Sequence, residues 1–254
     1  MFRVVIPARF GSSRLPGKPL LPIGGRPMLQ WVYERAVASG ATTVVIATDD
    51  DRIAECARSF GAPVQLTSLT HLSGTDRIAE VALQAGWPLD DVIVNLQGDE
   101  PLMPSGLLRQ VASLLEQQPT AHIATLATRM TGIAAFMDPN MVKVVTDASG
   151  RALYFSRAPI PWGRDTAPAG MASQRSFAAA RRHIGLYAYR VAALRRLSLL
   201  PPSQLELVEK LEQLRALENG MEIRVADASE LPGPDVNTAE DLARVALALG
   251  VPVT

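Results

Sequence analysis

Short runs of consecutive apolar, β-branched residues alternate along this chain with longer stretches in which apolar positions recur every three or four residues. The runs Val4–Ala8, Val44–Thr48, Val64–Leu66, Val92–Leu96 and Ile123–Thr128 read as buried strands. The stretches Pro27–Ser39, Asp50–Phe60, Thr75–Ala85 and Pro104–Gln117 between them read as helices, with Pro27 and Pro104 where proline suits a first turn. Such alternation predicts an α/β fold with a mostly parallel sheet flanked by helices, because parallel neighbours need a crossover. Further strands are expected at Val142–Thr146, Leu153–Ser156, Ile184–Tyr189 and Glu222–Ala226, and further helices at Gln204–Glu218 and Thr238–Leu249. The segment Ala158–Ala180, with three prolines, Gly163, Gly170 and many small residues, reads as a long loop or arm. The expected organisation is one domain over residues 1–254 with an inserted substrate or dimer element at about 150–200.

Composition narrows the class. A chain of 254 residues that is 48% apolar can bury a full core. Twenty-five basic and 25 acidic residues cancel, which argues against a general nucleic-acid or membrane-surface binder. Cys56 is alone and no Cys/His cluster has zinc spacing. With no secretory-type start and no long apolar run, the expectation is a cytoplasmic protein.

Against that neutral background, the first 33 residues carry five Lys/Arg (Arg3, Arg9, Arg14, Lys18, Arg26) and no acid. The strand Val4–Ala8 runs into a loop with Gly11, Ser12, Ser13 and Gly17 and the cations Arg9, Arg14 and Lys18. A cationic, glycine-bearing loop after a strand is where α/β proteins bind phosphates, and it points to a nucleoside triphosphate. It is not a P-loop, since Gly11 and Gly17 are separated by five residues and Lys18 precedes Pro19 rather than Ser or Thr. No G-x-G-x-x-G occurs either, which weakens a dehydrogenase reading.

Other segments add chemistry. Gln97-Gly98-Asp99 follows the strand Val92–Leu96, on the edge that faces the ligand crevice. A carboxylate there suits Mg²⁺ held against triphosphate oxygens, or else simply caps a turn. Ser73-Gly74-Thr75-Asp76-Arg77 opens a helix, where Thr75 serves as N-cap or the segment reads a base or phosphate. Arg157 closes a strand beside the long loop, and His183 and Tyr187 share one strand face, a set suited to a carboxylate- and hydroxyl-rich ligand. In the expected helix Gln204–Glu218, Leu207, Val208, Leu211 and Leu214 form an apolar stripe. Glu209, Glu212 and Gln213 lie opposite, either solvated or lining a pocket. Thr238 reads as an N-cap, while Asp235 and Asn237 just before it are open candidates for a metal.

Taken together, IPARFGSSRLPGKPL, ATDDDRI, SGTDRIAE, VNLQGDEP, YFSRAPIPW, RHIGLYAYR and VEKLEQLRALENG resemble the 3-deoxy-manno-octulosonate cytidylyltransferases (CMP-KDO synthetases) over nearly the whole chain. The resemblance implies a Rossmann-like nucleotide-diphospho-sugar transferase fold, a homodimer and a part in lipopolysaccharide synthesis. It also implies CTP and 3-deoxy-D-manno-octulosonate (KDO) as substrates and Mg²⁺ as cofactor. Carried onto this sequence, Ala8, Arg9, Ser12, Ser13 and Lys18 would cradle CTP, with Ser73, Thr75 and Arg77 near the nucleotide. Arg9, Lys18 and Asp99 would be catalytic, with Asp99 holding the metal. Gln97, Arg157, His183, Tyr187, Glu212 and Gln213 would grip the sugar acid. One position departs: where the family usually has Gly-Val-Asp-Thr before the last helix, this chain has Asp235-Val236-Asn237-Thr238. The second metal ligand is therefore either Asn237, through its amide oxygen, or Asp235. The alternatives are a transferase for a related acid sugar, or a regulator that binds CTP without releasing pyrophosphate.

Overall fold

A computed structural model describes residues 1–11, 15–71, 73–166, 170 and 173–252. Its centre is β1 (Phe2–Ala8), paired in parallel with β4 (Thr43–Thr48) on one side and β6 (Val92–Asn95) on the other. β5 (Val64–Leu66) extends the sheet beyond β4. Helices α1 (Met28–Ala38), α2 (Asp51–Ser59), α3 (Gly74–Gln84) and α4 (Ser105–Glu116) connect successive strands, as the alternating pattern predicts. A small antiparallel hairpin, β2 (Pro22–Ile23) with β3 (Arg26–Pro27), precedes α1.

The second half departs from a purely parallel arrangement. β7 (Ile123–Arg129) leaves a slot beside β6, and β10 (Arg181–Arg190) fills it antiparallel to both. β11 (Ile223–Asp227) then pairs in parallel with β7, giving the order β11-β7-β10-β6-β1-β4-β5. The antiparallel pair β8 (Lys143–Thr146) and β9 (Ala152–Ser156) branches from β10. The reversal has a functional consequence. In parallel strands the ligand edge is the C-terminal one, marked here by Ala8, Thr48 and Asn95. A strand running the other way brings its beginning to that edge, and Tyr187 is accordingly registered against Asn95.

Side chains alternate between two cores, as a sheet covered on both faces requires. Val4 and Ile6 pack with Leu29, Ile53 and Leu107 from α1, α2 and α4, whereas Val5 and Ile93 pack with Ile78 and Leu194 on the other face. Leu194 belongs to α6 (Val191–Leu199), a helix the sequence reading passed over, which starts directly at the end of β10 with no turn residue between them. A short helix α5 (Ile133–Met137) was also missed; its Phe136 is fully buried with Met130 and Ala180. A satellite core of Ile23, Met28, Val236, Val245 and Ala246 joins the hairpin and α1 to the last helix, α9 (Ala239–Leu249).

The expected helix Gln204–Glu218 is broken. α7 (Gln204–Glu209) ends at Lys210, which takes a left-handed φ of 54°, and α8 (Gln213–Glu218) starts anew after it. The continuous apolar stripe therefore does not exist: Leu211 and Leu214 are buried, but Leu207 and Val208 are exposed. The segment Ala158–Ala180 contains no strand among its described residues, only a 3₁₀ turn at Arg164–Thr166, in keeping with the expected loop.

The two-sided core makes a stability prediction. Ile6→Ala, in the fully buried central strand, should lower unfolding free energy by about 2–5 kcal/mol. Leu199→Ala, at an exposed α6 position, should change it by no more than roughly 0.5 kcal/mol. Urea unfolding followed by circular dichroism measures both.

Candidate active site

Three loops converge at the end of β1. A Cβ on Gly98 would lie 3.1 Å from Pro7 O, and one on Gly74 would lie 3.2 Å from Pro7 Cγ. These close approaches explain glycine at both positions, one in the loop after β6 and the other opening α3. Gly17, at a φ of 67°, donates its N–H to Phe10 O at 3.1 Å and so closes the base of the loop after β1. Ser12 and Ser13, expected to cradle phosphates, lie outside the described residues.

Lys18 reaches back across this junction. Its Nζ donates to Asp99 Oδ2 at 2.6 Å and to Val236 O at 2.8 Å, while Val236 N donates to Asp99 O at 2.9 Å. Segments 81 and 218 residues from Lys18 are thereby joined at one ammonium group. Val236 is fully buried in the satellite core and its N–H is tied to Asp99 O, so its exposed neighbour Asp235 follows in chain a residue anchored on the Asp99 loop. Asn237 donates its Nδ2 to Asp235 Oδ2 and its backbone N–H to Asp241 Oδ2. Thr238 is the N-cap of α9, in a capping box with Asp241, as expected.

Next in the chain to Asp99, Glu100 Oε2 is buried without a hydrogen-bond partner. Burial first, then the charges of Asp99 and Asp235, push the Glu100 carboxyl up to about 8. Among the described residues no group of three or more His, Cys, Asp or Glu is arranged to hold a metal by itself. Asp99 and Asp235 nevertheless fit Mg²⁺, a hard cation that takes one or two carboxylates and completes its shell with substrate phosphates and water. The unpartnered acidic oxygen and the concentrated negative charge beside them are what a divalent cation relieves.

Next to this junction, a cleft is lined by Ala8, Arg9, Ser73, Gly74, Arg77 and Gln97. Arg9 is exposed at its mouth. Arg77 is buried and already engaged: Nη2 donates to Asp49 Oδ2 at 2.6 Å, and Nη1 to Thr67 Oγ1. Its role is thus to tie α3 to the ends of β4 and β5, with its edge on the cleft. The N-cap of α3 is Ser73, which accepts from Asp76 N, so the capping role considered for Thr75 belongs two residues earlier. Thr75 is instead buried, and its Oγ1 donates to Glu212 Oε2 at 2.5 Å.

That contact leads to the sugar-acid candidates. Glu212 is held above the usual carboxylate range by burial, against the hydrogen bonds from Thr75 and Ser73, and its Oε1 lacks a hydrogen-bond partner. Tyr187 and Tyr189 are stabilised as neutral phenols by burial and by the nearby carboxylate. The His183 ring stands 5.2 Å from Tyr187 and 5.0 Å from Phe155, with Nε2 on Thr125 Oγ1 at 3.0 Å. Burial, followed by the charge of Arg182, pushes its pKa down to about 3, so the ring is neutral at ordinary pH. Four regular strand residues would span about 13 Å. The rings meet because β10 bulges between Ile184 and Tyr187, so that this stretch opposes only Leu126 to Thr125. Gly185 was the available signal for that bulge.

Gln97 donates Nε2 to Asn95 Oδ1 at 2.9 Å, and Gln213 is buried in the first turn of α8. Arg157, just past β9, is bonded to Glu209, Pro139 and Lys143. A larger groove between α3, α6 and α7 includes Ser73 and Glu212 at its margin but neither Lys18 nor Asp99. No helix among the described residues is long and apolar enough to cross a membrane.

Comparison with known proteins identifies the family. A family model described as cytidylyltransferase matches residues 3–223. A 3-deoxy-manno-octulosonate cytidylyltransferase from Thioalkalivibrio sulfidiphilus is 55% identical over 248 residues, 96% of this chain and 97% of the relative. The enzyme of that name from Pseudomonas syringae pv. syringae is 54% identical over 244 residues, 96% of each chain. A solved structure of CMP:2-keto-3-deoxy-manno-octonic acid synthetase complexed with CTP superposes with a TM-score of 0.87 at 40% identity, covering 98% of this chain and 99% of the other. The chain belongs to the cytidylyltransferase family, among the 3-deoxy-manno-octulosonate cytidylyltransferases.

Proposed function

We propose that the chain transfers CMP from CTP to the anomeric hydroxyl of KDO, releasing pyrophosphate, for lipopolysaccharide biosynthesis. The observation that carries this reading is the junction of Lys18, Asp99 and the Asp235–Val236 turn at the end of β1, beside a pocket of neutral hydrogen-bonding groups. A homodimer and a cytoplasmic setting belong to the same proposal and rest on the family resemblance.

In this mechanism the sugar hydroxyl oxygen attacks the α-phosphorus of CTP in line with the α–β bridging oxygen. The new phosphorus–oxygen bond forms as the bridge breaks, pyrophosphate leaves, and the hydroxyl proton passes to solvent. Catalysis is mostly positioning and charge neutralisation. Arg9 and Lys18 offset the charge that builds on the phosphates and the leaving group. Asp99 and Asp235 would hold Mg²⁺, with Asn237 orienting the Asp235 carboxylate through its amide nitrogen. When bound, the ion supplies Lewis acidity at the phosphate and lowers the pKa of the attacking hydroxyl. Neutral His183 and Tyr187 direct hydrogen bonds at sugar hydroxyls, and Arg157 balances the sugar carboxylate, which otherwise repels the triphosphate.

The direct test is pyrophosphate release with KDO and Mg²⁺, supplied in parallel with CTP, ATP, GTP or UTP. Release with CTP alone is expected; CTP binding without release would instead favour the regulator. Asp99→Ala should reduce turnover by roughly a thousandfold or more, the scale of losing a main electrostatic group, while the circular dichroism spectrum is unchanged. Asp235→Ala should raise the Mg²⁺ needed for half-maximal turnover at least about tenfold, and Asn237→Ala should raise it less. A Mg²⁺ titration indifferent to Asp235 would remove that residue from the metal site.

The depressed His183 pKa gives a pH prediction. The folded ring stays neutral down to about 3, whereas an unfolded histidine takes up a proton near 6.5. Between those values the unfolded state binds more protons, so stability falls as pH falls through that window. The His183 ring proton shift should be flat from pH 5 to 8 by NMR, and His183→Gln should lose less stability than the parent on acidification.

A further inference from the structure

Arg157 stands just past β9 with no carboxylate paired to its guanidinium among the described residues. Its Nε donates to Glu209 O at 2.7 Å and its Nη1 to Pro139 O at 3.0 Å, both uncharged acceptors. The Glu209 carboxylate is occupied differently. It accepts from Ser156 Oγ at 2.6 Å, from Arg157 N at 2.9 Å and, more distantly, from Tyr154 OH at 3.5 Å. Glu209 thus holds Arg157 twice, by its carboxylate at the backbone and by its carbonyl at the side chain, without forming an ion pair.

Lys143 completes the clamp. It is fully buried, and its Nζ donates to Arg157 O at 2.6 Å and Asp138 O at 2.9 Å. The N–H, the carbonyl and the guanidinium of one residue are therefore all fixed by partners that make no direct ion pair with its charge. Such an arrangement keeps an arginine ready for an anionic ligand, because its internal hydrogen bonds go to neutral carbonyls, no carboxylate neutralises its charge, and the guanidinium has further N–H donors beyond those two. Glu209 also ends α7, directly before the left-handed Lys210 turn that leads to Glu212. One short turn consequently sets both Arg157 and the carboxyl that Thr75 holds.

We propose that Glu209 is a positioning residue for the acid sugar, holding Arg157 so that its unpaired guanidinium meets the sugar carboxylate. This rests on the reading above that Arg157 receives that carboxylate. Lys143 supports the same geometry from the Arg157 carbonyl.

The test is a double-mutant cycle of Glu209→Gln and Arg157→Ala in the full chain, with KDO and CTP kinetics and CTP affinity by calorimetry. Glu209→Gln should raise the KM for KDO about tenfold, change kcat by less than about threefold and leave CTP affinity within about twofold. In the Arg157→Ala background the same change should have less than about a twofold further effect. Effects that multiply independently, or a parallel loss of CTP affinity, would show that Glu209 supports the fold and does not act through Arg157. A silent Glu209→Gln beside a damaging Arg157→Ala overturns the proposal alone; a silent Arg157→Ala removes the sugar-carboxylate assignment and the proposal with it. Should Glu209→Gln fail to fold, Ser156→Ala removes one donor to the same carboxylate and should raise the KM for KDO in the same direction, with an unchanged KM overturning the proposal.

Discussion

The site is organised around one ammonium group. Lys18 opens a 3₁₀ turn at Lys18–Leu20, and its Nζ binds a carboxylate from the loop after β6 and a carbonyl from the turn before α9. The pair is only partly exposed, with side-chain accessibilities of 14% and 29%. It is therefore less weakened by solvent and salt than a surface ion pair. More important than its strength is its reach, since it decides where Asp99 and the Asp235 turn stand with respect to β1.

That arrangement depends in turn on apolar packing some distance from any charge. The turn before α9 is held because Val236 is wholly buried with Ile23, Met28 and Val245. Gly24 donates its N–H to Pro252 O, and a Cβ there would lie 2.7 Å from Val251 Cβ, so the hairpin and the end of α9 are in direct contact. The satellite core thus converts hydrophobic burial into the placement of two carboxylates. Glycines 74 and 98 let two loops approach Pro7 so closely that a Cβ at either would crowd it, at 3.2 and 3.1 Å.

Those features differ in how far the sequence reveals them. Lys18 and Asp99 were legible because each follows a short apolar strand, where local pattern alone locates the ligand edge. The strands β1, β4, β5, β6 and β7 and the helices α1 to α4 were legible for the same reason, whereas the two-residue strands β2 and β3 are too short for any periodicity to show. The antiparallel insertion of β10 was not, because the order of strands is decided by long-range packing that no local pattern encodes. Nor was the break at Lys210: the apolar spacing from Leu207 to Leu214 is continuous, and no glycine or proline interrupts it. Lysine takes the left-handed conformation there because Leu211 and Leu214 must turn inward while Glu209 reaches β9. In the sequence Glu209 shares with Glu212 and Gln213 a polar face that is either solvated or lines a pocket, whereas its actual partners lie more than 50 residues earlier in the chain.

The two ends of the site solve opposite electrostatic problems. Where the triphosphate is proposed to bind, charges of both signs crowd together, and Glu100 is driven toward neutrality by burial beside Asp99 and Asp235. Where the sugar is proposed to bind, the fold suppresses charge: His183 is kept unprotonated, and the phenols of Tyr187 and Tyr189 are kept un-ionised. Neutral donors and acceptors suit hydroxyls, whose hydrogen bonds are directional and carry no net charge. A charged group among them would bring a desolvation cost without an ionic partner. The one strong cation assigned to the sugar has its guanidinium held by carbonyls, while the Glu209 carboxylate takes from Arg157 only the backbone N–H, so the guanidinium charge is left for the ligand.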